Sequence, residues 1–174
     1  IYTIHIKDLL TGKHLPDQIP NTTGSSVWSA DGLHLFYSVK DEALRPYKIM
    51  RHQLGTAPQD DVVVYEEADE TFRAFVYRSK SRKYIIMGSA QTVSNEYHLL
   101  PADAPLDELR MFQARERDLE YSIAHINDRF YVLTNKDAKN FQLMVTPENA
   151  TTKSNWATLI PHRKDVLLED VELF

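Results

Sequence analysis

Ser26-Val27-Trp28, Ala74-Phe75-Val76, Ser122-Ile123-Ala124 and Asp170-Val171-Glu172 start 48 residues apart, at positions 26, 74, 122 and 170. Three further kinds of segment follow the first three starts in a fixed order. A polar turn leads into Leu33 to Val39, Lys83 to Gly88 and Arg129 to Thr134. Next come Tyr47-Lys48-Ile49-Met50, Glu96-Tyr97-His98-Leu99 and Phe141-Gln142-Leu143-Met144, and then Val62 to Glu66, Leu109 to Gln113 and Ala157 to Ile160. Tyr2 to Leu9 matches the Tyr47 strand in character, so residues 1–20 read as the third and fourth strands of an earlier unit. Four short antiparallel strands in each repeat of about 40–50 residues are the sequence signature of a β-propeller blade. A β-sandwich with accidental periodicity is the competing reading, and the recurrence of both order and spacing favours the propeller.

The local chemistry agrees with an all-β class. Val62-Val63-Val64-Tyr65, Tyr84-Ile85-Ile86-Met87 and Phe130-Tyr131-Val132-Leu133 are β-branched or aromatic runs bounded by turn-forming residues. Asp31-Gly32 between two such runs signals a hairpin, because glycine accepts the positive φ of a tight turn. Only Asp103 to Met111 could make a turn or two of helix.

At 48 residues per unit, the 174 residues amount to about 3.5 four-stranded antiparallel blades. Residues 1–24 end one blade, 25–70, 71–118 and 119–164 are three whole ones, and 165–174 supply the first strand of another. Propellers close with about 4–8 blades. The chain also starts at Ile1, without Met and within a strand-like pattern, so it is expected to be a piece of a larger protein.

Composition narrows the function. The net charge of −5 and a pI near 5.8 remove the broad electrostatic attraction that nucleic-acid binders use. Without cysteine there is no disulfide, no thiolate catalysis and no Cys-based zinc site, which fits a reducing compartment; a cytoplasmic location is expected. No apolar run reaches the roughly 18–20 residues of a membrane span, and Ile1 to Lys7 alternates where a signal peptide would form an apolar block.

Catalytic motifs are missing as well. Gly24-Ser25-Ser26 lacks the second glycine and the strand-to-helix setting of a nucleophile elbow. The five glycines make no phosphate-binding loop. The seven histidines, His5, His14, His34, His52, His98, His125 and His162, never take a metal-ligand spacing and read as strand and turn residues. Arg78-Ser79-Lys80-Ser81-Arg82-Lys83 reads as a solvated hairpin turn, and Trp28 and Trp156 as blade-packing aromatics. No cofactor and no metal site are expected, and neither nucleic acid nor membrane is an expected partner.

The segment Leu44 to Thr56 with Val64-Tyr65-Glu66-Glu67 resembles the propeller of the prolyl oligopeptidase family of serine peptidases. So do Asp128 to Asn135 with Asp137 to Phe141, and Asn155-Trp156 running into Leu159 to Arg163. The resemblance extends over essentially the whole chain. It implies a parent with a seven-bladed propeller capping an α/β-hydrolase domain that carries a Ser-Asp-His triad. Its best match is the branch that cleaves short peptides after Arg and Lys. No triad residue falls on this chain, so the fragment is expected to be inactive by itself, gating access to chemistry performed elsewhere. The implied partners are short basic peptides, the missing blades and the hydrolase domain.

In an up-and-down blade, the loops between second and third strands emerge on the same rim as the blade-to-blade connections. One connection holds Glu66, Glu67, Asp69 and Glu70, and the next holds Glu116, Asp118 and Glu120. An acidic rim would steer Arg- and Lys-bearing peptides, although Arg115, Arg117 and Lys139 on the same rim would dilute its field. Two rival functions stay open: an interaction scaffold without peptidase activity, and a propeller enzyme whose residues converge on the central channel. Open end blades, with Leu167, Leu168, Val171, Leu173 and Phe174 among the uncovered side chains, predict self-association of the isolated chain.

Overall fold

A computed structural model describes all of residues 1–174. Thirteen strands form three antiparallel meanders with no α-helix. The first sheet contains β1 (Tyr2–Lys7), β2 (His14–Trp28), β3 (His34–Lys40), β4 (Pro46–Gln53) and β5 (Val62–Glu66). The second contains β6 (Arg73–Arg78), β7 (Tyr84–Gln91), β8 (Ser94–Pro101) and β9 (Arg110–Gln113). The third contains β10 (Tyr121–Ile126), β11 (Arg129–Thr134), β12 (Gln142–Pro147) and β13 (Ala157–Ile160). Of Asp103 to Met111, residues 103–109 carry turns and irregular backbone instead of helix and the last two begin β9; the helical turns are short 3-10 segments at Pro58–Asp60 and Lys153–Asn155, before β5 and β13.

The sheets stack face to face, and β7 shows why its sequence does not alternate. Ile85 and Met87 pack with Phe36 and Ile49 of the first sheet, whereas Tyr84 and Ile86 pack with Phe130 and Val132 of the third. A strand buried on both faces reads as a continuous apolar run. Gly88 continues β7 where a Cβ would lie 2.3 Å from Phe75 Cζ, so its missing side chain lets the Phe75 ring cross the strand. Gly32 takes φ 69° in the expected hairpin, and Asn127 and Asp128, at φ 49° and 60°, make the two-residue turn between β10 and β11.

β2 serves two blades. Residues between His14 and Thr22 pair with β1, and those from Thr22 to Trp28 pair with β3. The register breaks between Thr22 and Ser26, where Asn21 just before takes φ 60°. Such an irregularity bends a strand without ending it, so the boundary expected at residue 24 falls inside continuous β-structure. Ile6 and Ile19 of the bent-over hairpin pack on Leu35 and Tyr37.

The first strand expected over 165–174 is absent: no strand follows Ile160. A ladder needs a row of backbone partners, and this segment finds one, from Leu168 N to Asn140 O at 3.0 Å. Side chains tie down the rest. Asn140 Nδ2 donates to the carbonyls of Arg163 and Lys164, and Lys80 pairs with Glu172 at 2.7 Å.

Candidate functional site

Each loop between second and third strands touches the connection leaving its own blade, and together these contacts define one rim. Arg45, in the turn leading into β4, donates through one terminal nitrogen to the carbonyls of Asp69 and Phe72 at 2.9 and 3.0 Å. Its Nε donates to Asp41 at 2.8 Å. Ser94 donates to the carbonyl of Glu116 at 2.9 Å, and Asn140 to that of Arg163 at 3.1 Å.

An ion-pair network with two enclosed carboxylates crosses this rim between the first and second blades. One Arg115 nitrogen donates to Glu67 Oε2 at 2.6 Å and to Glu96 Oε1 at 2.8 Å, and its guanidinium lies 4.0 Å from the centre of the Phe72 ring. Glu67 is 3% exposed and also accepts from the Ser89 hydroxyl and the Asp69 N–H. Tyr65 Oη lies within hydrogen-bond reach of both carboxylates. Burial works to raise the Glu67 and Glu96 pKa values. The guanidinium and the other donors outweigh it and hold both carboxyls below their ordinary range.

The predicted acidic rim is therefore reorganised. Glu67 faces inward and its charge is paired with Arg115 across the blades, so it is a cross-blade tie and not a steering charge. Glu66 is half exposed and 3.4 Å from Lys48, Glu116 is paired with Lys153, and Asp118 sits beside Arg117 at 3.8 Å. Glu120 Oε1 accepts from Asn135 at 3.3 Å. Asp69 is exposed, with its carboxylate held below the usual range first by the Thr71 hydroxyl and then by the Thr71 N–H. Glu70 is exposed and lines an open cavity of about 540 Å3 with Asp41, Glu42, Arg45, Thr71 and Arg73. Of the expected rim carboxylates, Glu70 therefore meets Asp41 and Glu42 of the loop between the second and third strands, as the shared rim implied, and the cations Arg45 and Arg73 line the same cavity.

Two histidines outside the predicted set are fully enclosed. His52, 0% exposed, sits between Asp17 and Asp61. His125, 1% exposed, lies with Nδ1 2.6 Å from the Ser81 hydroxyl and Nε2 2.6 Å from Glu148 Oε1. Burial pushes the His125 pKa down against the pull of Glu148. Ser81, His125 and Glu148 have the residue types of a nucleophile triad, but not its setting. The N–H groups of Ser81, Arg82 and Lys83 are spent on His125 O, Ser79 O and Ser81 Oγ, so none is left to hold an oxyanion there. The Ser81–His125 hydrogen bonds tie the second blade to the third, whereas His125 Nε2 and Glu148 Oε1 are close without being aligned for one. No group of three His, Asp or Glu side chains is arranged to hold a metal ion.

A family described as "Prolyl oligopeptidase, N-terminal beta-propeller domain" matches residues 1–174. The chain is 41% identical over 99% of its length to dipeptidyl aminopeptidase BI of Pseudoxanthomonas mexicana, and covers 24% of that protein. It is 39% identical over 85% of its length to Protease 2 of Moraxella lacunata, of which it covers 22%. Oligopeptidase B from Leishmania major has the same fold over 97% of the chain, with a TM-score of 0.90 and 31% identity, and the chain covers 24% of it. The chain thus spans about a quarter of the length of the proteins it matches.

Proposed function

The chain belongs to the N-terminal β-propeller domain family of prolyl oligopeptidase, and on that premise we propose that it is the substrate-gating part of a serine-type oligopeptidase that hydrolyses short peptides after Arg and Lys. The observation that carries this reading is the superposition on oligopeptidase B across nearly the whole chain, at a TM-score of 0.90. In this role the chain contributes no group to bond cleavage. Its blades, continued by further blades, narrow the approach to a hydrolase domain so that flexible peptides enter and folded proteins do not. Enclosure also keeps bulk water from the chemistry. Glu42, Asp69 and Glu70, which are exposed on the rim, supply a negative field that favours cationic peptides, diluted by Arg45 and Arg73 beside them. The enzyme is cytoplasmic in this reading. The isolated chain self-associates through side chains such as Leu159, Ile160 and Leu167, which are exposed.

The identity to a relative named dipeptidyl aminopeptidase favours a second reading, in which dipeptides are released from free amino termini. An amino-blocked peptide with one internal Arg separates the two. The proposed endopeptidase, as the intact enzyme, cuts it after Arg, and a serine-directed inhibitor stops the cut. Activity confined to unblocked peptides supports the second reading, and no peptide cleavage at all supports an interaction scaffold.

A further inference from the structure

His52 is held by carboxylates on both sides. Its Nε2 is 3.0 Å from Asp17 Oδ1, and its Nδ1 is 2.7 Å from Asp61 Oδ1. Asp61 Oδ2 accepts from the Tyr37 hydroxyl at 2.6 Å, and Asp17 Oδ1 accepts from the Gly55 N–H at 2.6 Å. Asp17 Oδ2 is buried with no partner. These groups come from four places: Asp17 from β2, Tyr37 from β3, His52 from β4, and Asp61 from the segment before β5. They are the titratable groups facing the imidazole, and no Lys or Arg pairs with either carboxylate.

A neutral imidazole donates through one nitrogen only. With an ionised carboxylate at each ring nitrogen, both must donate, and a buried carboxylate left without its donor is costly. We infer that Asp17, His52 and Asp61 form a proton-locked clasp, in which the His52 imidazolium fastens the β1–β2 hairpin to the first complete blade and loss of its proton loosens that hairpin alone. Asp17 is the hairpin's polar contribution to the junction, beside the apolar contacts of Ile6 and Ile19. Burial works to lower the His52 pKa, and the two carboxylates overcome it and raise the value above the ordinary histidine range. A raised folded-state pKa contributes stability that is complete below the unfolded value of about 6.5 and lost as pH rises through the folded value.

The test combines two measurements on the chain across neutral to alkaline pH. Ring 15N shifts of His52 are expected to show both nitrogens protonated at pH 7, with titration above it. Amide exchange is expected to show protection of β1 and the first half of β2 falling about tenfold or more through that same titration. Amides of β6 to β13 serve as the internal reference for the intrinsic rise of exchange with pH. Tyr37→Phe removes one donor to Asp61 and is expected to move the His52 titration and the hairpin transition upward together. A single protonated ring nitrogen at pH 7 overturns the inference. So does hairpin protection that follows the reference amides, or a hairpin transition that ignores the shifted titration in Tyr37→Phe.

Discussion

Glu67 and Arg115 occupy the same place in successive repeats, 48 residues apart, and meet at 2.6 Å. Each lies just beyond the fourth strand of its blade, so the repeat that builds the sheets also brings their outgoing connections together. Opposite charges at the equivalent position turn this proximity into a tie. The Arg115 guanidinium also stacks on Phe72, which follows Glu67 in the same connection.

Arg115→Met keeps most of the volume over Phe72 and removes the charge. Glu67 and Glu96 are then buried without their cation, and unfolding free energy is expected to fall by about 3–5 kcal/mol. The double variant Glu67→Gln with Arg115→Met is expected to lose less than the sum of the two single changes. Denaturant titration of all three variants provides the measurement; strict additivity would show that the two side chains do not act as a pair.

The same network sets an acid limit. Glu67 and Glu96 have depressed pKa values, so their contribution is present above the unfolded carboxyl value of about 4.3 and is lost as pH falls through the folded values. Stability is expected to drop below about pH 4, and less steeply in Arg115→Met, where the guanidinium no longer helps hold the two carboxyls down. Chemical unfolding from pH 7 to pH 3 compares the two slopes, and identical slopes would remove the network from the acid response.

Gly88 is expected to reject even a methyl group. A Cβ there meets Phe75 Cζ at 2.3 Å and the Glu96 carbonyl at 3.1 Å. Phe75 packs edge-on to Tyr97 and stacks on Tyr77, so it has little room to turn away. Gly88→Ala should cost about 1–3 kcal/mol, and Phe75→Leu in the same chain should recover part of it. Thermal unfolding of the single and double variants checks the coupling.

Much of this fold is legible in the sequence because propeller strands repeat at a fixed distance. Arg129 to Thr134 and Ala157 to Ile160 are strands in the structure with the limits the repeat assigned to them. The terminal segments differ because ladder formation depends on partners. Residues 165–174 have strand-like composition but only one backbone hydrogen bond, and β2 bends across a blade boundary without stopping. The rim was legible as a location and not as chemistry. Nothing in Glu66-Glu67 distinguishes the half-exposed carboxylate from the buried one, because the difference arises from Ser89, Glu96 and Arg115 on other elements. His52 and Glu67 lie within the segments that carried the family resemblance. Neither shows itself as a network centre in the sequence, because isolated histidines and turn carboxylates have no spacing signature.

Asp69→Asn with Glu70→Gln tests what is left of electrostatic steering. In the intact enzyme at low ionic strength, kcat/KM for an Arg-containing peptide is expected to fall several-fold, roughly twofold to tenfold, and the difference should vanish at high salt. A neutral peptide should be unaffected. Unchanged kcat/KM and salt dependence for the basic peptide would leave these carboxylates as ordinary solvated groups.

The proposed division of labour between this propeller chain and a hydrolase domain is tested most directly by side-by-side turnover of a short Arg- or Lys-containing peptide by the purified 174-residue chain and by the intact enzyme. The expected result is cleavage after Arg or Lys by the intact enzyme, abolished by a serine-directed inhibitor, and none by the chain alone. Inhibitor-sensitive turnover by the isolated chain would contradict it.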